Sequence, residues 1–162
     1  MHSITPCLWF DDNAEEAVTF YTSVFQNSKI GKTSRYTEAG KEFHGKPAGS
    51  VMTMEFELNG QEYTALNGGP MFKFTEAVSF QVHCDTQEEI DHYWEKLGAG
   101  GDPNAQACGW LKDKFGLSWQ IVPSILGRLA QGDPKKSGAM MQALMKMKKL
   151  DIKTLQQAYD RA

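Results

Sequence analysis

One pattern occurs twice in this chain, and it constrains the fold more than any other feature. Asp12-Asn13-Ala14-Glu15-Glu16-Ala17-Val18-Thr19-Phe20-Tyr21 is matched by Asp85-Thr86-Gln87-Glu88-Glu89-Ile90-Asp91-His92-Tyr93-Trp94. Both run Asp, two residues, Glu-Glu-apolar, two residues, aromatic pair. A second match follows in the same order. Glu57-Leu58-Asn59-Gly60-Gln61-Glu62-Tyr63-Thr64 aligns with Asp113-Lys114-Phe115-Gly116-Leu117-Ser118-Trp119-Gln120 as acid, two residues, Gly, two residues, aromatic, polar. Two aligned segments in one order argue against coincidence and predict a duplicated supersecondary unit.

The first match opens a helix in each copy. Asp12 and Asp85 are expected as N-caps, with Glu15 and Glu88 three residues on, where a carboxylate suits both a capping box and the helix dipole. Ala17, Phe20, Tyr21, Val24 and Phe25 share one helical face, as do Ile90, Tyr93, Trp94 and Leu97. Strands are expected before the helices, at residues 4–10 and 78–84. Hairpins are expected after them, at 51–58 with 63–67 around Asn59-Gly60, and at 109–112 with 117–122 around Phe115-Gly116. A further strand is placed between helix and hairpin, at 28–37 and at 104–107. The first copy carries an insert at 37–49, rich in Gly, Lys and Glu, read as an exposed loop. The expected fold is therefore α+β: two βαβββ modules forming curved mixed sheets, residues 1–70 and 75–123, with a helical tail at 124–162. Each module has one apolar sheet face that must be covered.

In the tail, Ser124 is expected to cap a short helix ending by Gly132. Asp133-Pro134 reads as a cap and first-turn proline. Met140, Met141, Leu144, Met145 and Lys148 follow helical spacing, with Lys146, Lys148 and Lys149 at its C-terminal end. A last helix starts near Ile152, with Leu155, Ala158 and Tyr159 on one face. The methionines are read as packing residues, with a partner-binding surface as the alternative.

Composition excludes several classes. The 162 residues are 41% hydrophobic and 23% charged with a net charge of -3, which gives no reason to expect nucleic acid or an anionic membrane as partner. No apolar run approaches a membrane span, and the N-terminus lacks the basic and apolar stretches of a signal peptide. Cys7, Cys84 and Cys108 cannot all pair and show no CxxC spacing, which points to a reducing cytoplasm.

These modules resemble the vicinal oxygen chelate superfamily of glyoxalases, bleomycin-resistance proteins and extradiol dioxygenases, and within it the PhnB-like branch. The carrying residues are Ile4-Thr5-Pro6-Cys7-Leu8-Trp9-Phe10, Leu66-Asn67-Gly68-Gly69-Pro70, the repeated helix motifs, and Cys108-Gly109-Trp110-Leu111-Lys112-Asp113 with Gly116-Leu117-Ser118-Trp119-Gln120-Ile121-Val122-Pro123. The resemblance spans nearly the whole chain and implies cup-shaped half-barrels, commonly in a homodimer. Members of the branch often carry a demethylubiquinone methyltransferase label. The glycine-rich stretch here is followed by proline and no helix start, unlike a methyltransferase cofactor loop.

The resemblance also implies where a divalent metal would be held: two side chains per module, on the first and last strands. Carried over, those positions are Thr5 or Pro6, Thr64 or Ala65, Ser79, and Gln120. None is His, Asp or Glu, so neither a metal nor another cofactor is expected. The expected ligand-binding residues are Thr5, Trp9, Thr64, Ser79, Trp110 and Gln120, with Trp119 and Phe80 as further aromatic walls. Among the histidines, His2, His44, His83 and His92, only His83 on its strand is a candidate for acid-base catalysis. Asp11, Asp12 and Asp113 are assigned to capping and turns. The leading reading is a metal-free small-molecule-binding module. An enzyme with a divergent site, of lyase, isomerase or dioxygenase type, is the alternative, and a partner-binding dimer is the third.

Overall fold

The structure, a computed structural model, describes residues 4–162; His2 lies outside them. The chain divides into two compact units, Met1–Lys73 and Phe74–Ala162.

The first unit runs β1 (Cys7–Phe10), α1 (Ala14–Val24), β2 (Lys29–Arg35), α2 (Lys41–His44), β3 (Val51–Leu58) and β4 (Gln61–Asn67). Its four strands lie in the order β1-β4-β3-β2, with β1 parallel to β4 and the other pairs antiparallel. The β3–β4 hairpin turns at Asn59 and Gly60, both at positive φ, as a two-residue turn matched to strand twist requires. Strand alternation divides the sheet into two faces. Leu8, Met54, Phe56 and Ala65 are buried on the face under α1, which buries Ala14, Ala17, Val18, Tyr21 and Val24. Tyr21 stacks on Phe56 at 6.4 Å between ring centroids. The other face is open. The 37–49 insert is largely exposed, as expected, and holds the single-turn helix α2.

The second unit repeats this plan with one strand fewer. It runs β5 (Ser79–Cys84), α3 (Gln87–Gly98), a short 3-10 turn (Pro103–Ala105), β6 (Trp110–Lys112) and β7 (Ser118–Pro123), with strand order β5-β7-β6. Again the module's first and last strands are parallel neighbours and the hairpin is antiparallel. Val82, Cys84, Leu111, Trp119 and Ile121 are buried, as are Ile90 and Leu97 of α3. The strand expected at 104–107 is not formed. Asp102 caps Asn104 N at 2.9 Å and Pro103 starts the 3-10 turn, leaving one isolated bridge between Ala107 and Trp110.

Both helices begin one residue later than the sequence suggested. The caps are Asn13 and Thr86, not Asp12 and Asp85, and the shift is the same in each copy. Thr86 makes a full capping box with Glu89. Asn13 makes no side-chain cap. Its role passes to Asn67 on β4, whose Oδ1 accepts Ala14 N at 2.9 Å.

The tail forms α4 (Leu126–Ala130), α5 (Pro134–Leu144) and α6 (Ile152–Asp160) within the second unit. Asp133 caps α5 as expected, accepting Lys135 N and Lys136 N. Ser124 does not cap α4; its N–H still donates to Cys84 O of the sheet, and Ile125 takes the cap position. Leu129, Met140, Leu144, Leu150 and Leu155 form a small core. Met140 and Leu144 are buried, but Met141 and Met145 are 43% and 66% exposed, so the expected single methionine face divides between core and surface. Lys146, Lys148 and Lys149 fall beyond the end of α5, in the 145–151 connection. No helix among the described residues is long and apolar enough to cross a membrane.

Candidate functional site

The open face of the first sheet carries a groove of about 270 Å³, lined by Thr5, Lys29, Gly31, Glu55, Phe56, Glu57, Glu62, Tyr63 and Thr64. Register explains most of the lining; Phe56 and Tyr63, cross-strand partners whose rings stack at 5.2 Å, alternate onto the α1 face and only border the groove. Cys7 pairs with Thr64, Thr64 with Glu55, and Glu62 with Glu57. The Pro6 carbonyl accepts Thr64 N at 2.9 Å, which carries Thr5 alongside the end of β4. Gly31 lies against Glu55; a Cβ there would stand 3.1 Å from Glu55 Cβ and narrow the floor.

The groove is acidic, with three carboxylates to one ammonium. Lys29 Nζ and Glu57 Oε2 are 2.9 Å apart. Hydrogen bonding to Glu57, then its charge, pushes the Lys29 ammonium above the usual lysine range, so it stays protonated. Tyr63, stacked on Phe56 on the α1 side of the sheet, has its phenol pushed up by burial. Cys7 is exposed on the open face, and partial desolvation pushes its thiol up.

Thr5 and Thr64 are thus brought together. Trp9 is not among the groove-lining residues. It lies toward the Leu66 end of the open face, its indole Nε1 donating to Gly69 O at 2.8 Å and its ring meeting Phe72 edge-on at 4.9 Å. Gly68 is required there, since a Cβ would fall 2.3 Å from Trp9 Cζ2.

The open face of the second sheet joins Ser79, Gln120 and Trp110. Gln120 Nε2 donates to Ser79 Oγ at 2.8 Å, and Gln81 Nε2 donates to Gln120 Oε1 at 3.2 Å. Trp110 is the register partner of Gln120. His83 is exposed on this same face, opposite Val122, while its neighbours Val82 and Cys84 are buried under α3. His92 is exposed on α3, in edge contact with Tyr93.

Trp119 and Phe80 belong to the other face and cannot be walls of this one. They meet edge-on at 5.6 Å, and Trp119 is 2% exposed. Its indole donates to Asp113 Oδ2 at 2.8 Å, and Asp113 Oδ1 accepts Phe115 N and Leu117 N. In the second copy, the acid–x–x–Gly–x–x–aromatic motif is therefore a turn with its own buried clasp.

The donor set at the positions implied for a metal does not fit one. Thr5, Thr64, Ser79 and Gln120 offer neutral oxygen, and the Ser79–Gln120 pair is already hydrogen-bonded to itself. Among the described residues, no group of three or more His, Cys, Asp or Glu is placed to hold a metal ion.

The sequence reading missed Lys29, Gly31, Glu55, Glu57, Glu62 and Tyr63, as well as Gln81. A signal existed: Thr53, Glu55 and Glu57 alternate with Met54, Phe56 and Leu58, which marks a polar face opposite the helix. Only the β3–β4 pairing sets that face beside Glu62 and Thr64.

A duplicated unit of strand, helix and hairpin, with first and last strands parallel, places the chain in the vicinal oxygen chelate superfamily, with the glyoxalase/bleomycin-resistance fold. Residues 2–122 match the family described as 3-demethylubiquinone-9 3-methyltransferase, and the chain belongs to that PhnB-like family. The PhnB protein from Bacillus cereus, which carries the same methyltransferase label, is 40% identical over 76% of this chain and 100% of that one, with a TM-score of 0.63. Protein PA1353 from Pseudomonas aeruginosa is 19% identical over 76% and 98% of the two chains, with a TM-score of 0.57. The fosfomycin resistance protein FosX from Mesorhizobium loti is 14% identical over 80% and 98%, with a TM-score of 0.53, a likeness of fold alone. No curated protein matches the chain.

Proposed function

We propose that this chain binds a small molecule on the open sheet face of its first module, without a metal. One observation carries the reading. Thr5 and Thr64, at the positions where the superfamily places metal ligands, line a groove and present neutral hydroxyls to it. At about 270 Å³ the groove lies just below the usual range of small-molecule sites, roughly 300–1,000 Å³. Its ligand is therefore small. Three glutamates and one lysine favour a molecule that offers hydrogen-bond donors or positive charge. On the second module, the Ser79–Gln120–Gln81 chain and Trp110 supply a further polar and aromatic surface of the same kind.

The reading includes a homodimer in a reducing cytoplasm, consistent with Cys7, Cys84 and Cys108 as free thiols. It leaves out methyl transfer. The Gly68-Gly69-Pro70 stretch leads to β5 and not to a helix N-terminus, and each sheet has only one parallel pair among the described residues.

The test is a binding experiment on tag-free protein. Zinc, nickel, manganese and iron(II) are titrated by thermal shift, beside a panel of small amines, alcohols and aromatic acids followed by amide NMR. The expected result is no metal-specific stabilisation, with amine or alcohol hits that move the Thr5, Gly31 and Thr64 amides and are lost in Thr64→Trp. A stoichiometric metal that raises the melting temperature would overturn the metal-free reading. Hits that leave those three amides unmoved would overturn the groove.

A further inference from the structure

The first sheet has four strands and the second three, and the missing place is on the hairpin side. In the first unit β2 pairs along β3. In the second, the residues preceding β6 pair with something else. Cys108 N donates to Met147 O at 2.8 Å and Gly109 N to Lys148 O at 2.8 Å. On the other side Gly109 O accepts Ile121 N of β7 at 2.8 Å. The backbone thus runs β7, Cys108–Gly109, Met147–Lys148, three segments joined side by side. Cys108 and Gly109 both hold positive φ, and a Cβ on Gly109 would stand 3.0 Å from Ile121 O and from Leu150 Cδ1. That turn is shaped to lie between β7 and the tail.

We infer that the segment 147–152 is a strap that stands in for the fourth strand of the second sheet, fastened by α3. The fastening is specific. The Gln87 side chain spans the strap, with Nε2 donating to Leu150 O at 3.1 Å and Oε1 accepting Ile152 N at 2.9 Å. Lys149 Nζ pairs with Asp91 Oδ1 at 2.6 Å, one helical turn on from Gln87. Gln87 also donates to Asp91 Oδ1 at 3.2 Å, so the two fasteners hold each other in place. The family match ends at residue 122, short of the strap. Its function is to close the edge beside Cys108–Gly109 and to fix the turn that leads into Trp110. An unclosed edge would be open to strand addition by another chain.

The experiment is amide hydrogen exchange on the full chain and on the Gln87→Ala and Asp91→Asn variants. The expected result is exchange at least tenfold faster at Cys108, Gly109 and Ile152 together in each variant, with the β5 and β7 amides that pair within the sheet unchanged. Faster exchange at Ile152 alone would overturn the inference, because the strap would then not hold the sheet edge. Equal acceleration throughout the unit would also overturn it, since the segment would then be part of the global core.

Discussion

Gly68 shows how a single hydrogen atom can decide the geometry of a face. The Trp9 ring lies directly on it, clamped by the Gly69 carbonyl and by Phe72. Gly68→Ala cannot be accommodated unless the indole moves, because aromatic carbon and backbone are both rigid. Overpacking of this kind costs about 1–3 kcal/mol, and loss of the indole hydrogen bond adds about 1 kcal/mol. Urea unfolding should show that loss, and tryptophan emission should shift to the red as Trp9 swings into water. An unchanged midpoint and spectrum would mean the ring is not seated as described.

The two helices teach a lesson at the level of elements. Each opens on an equivalent residue, yet one is capped by its own threonine and the other by an asparagine from a distant strand. Asn67 is 5% exposed and serves three connections: Oδ1 accepts Ala14 N, Nδ2 donates to Val51 O, and its carbonyl accepts the Tyr36 hydroxyl at 2.7 Å. Thr86→Ala should cost about 1 kcal/mol, the ordinary value of a cap. Asn67→Ala should cost about 2–3 kcal/mol, because it leaves buried groups without partners. Denaturant titration of the two variants side by side checks the order, and a reversed order would refute the account. The repeat made the helices, the hairpins and the strand β2 legible, since periodicity and Asn59-Gly60 are local signals. In the first copy the cap position was misjudged because Asn67 of β4 supplies the acceptor for Ala14 N; in the second, Thr86 and Glu89 form the capping box one residue later than Asp85 and Glu88. The absent strand at 104–107 hinged on Pro103, which turns the backbone after Asp102. Thr5 and Thr64 were singled out through resemblance; the glutamates beside them depend on cross-strand register, and no local pattern carries that. Trp119 was misplaced because it takes the face opposite Gln120, and only strand alternation anchored on Asp113 settles which is which.

For the molecule as a whole, the buried thiol of Cys84 links folding to alkaline pH. Burial chiefly, then the charges of Glu89 and Asp85, push it from 9.0 to about 11. A raised thiol pKa leaves folded and unfolded chains equally protonated below pH 9. Between pH 9 and 11 the unfolded chain alone loses the proton, so stability falls with a slope approaching about 1.4 kcal/mol per pH unit. The difference in unfolding free energy between the parent and Cys84→Ala should therefore be flat below pH 9 and shrink above it. A difference that stays constant to pH 11 would show that the thiol titrates normally.

The strap at 147–152 has a further consequence in the order of synthesis. The first sheet draws all its strands from residues 7–67, so its edge is complete once that stretch has left the ribosome. The second sheet has β5, β6 and β7 in hand by residue 123 but waits for Met147 and Lys148 to seal Cys108 and Gly109. At roughly 5–20 residues per second, that interval lasts a few seconds, during which a nascent chain carries one finished half and one half with an unguarded margin.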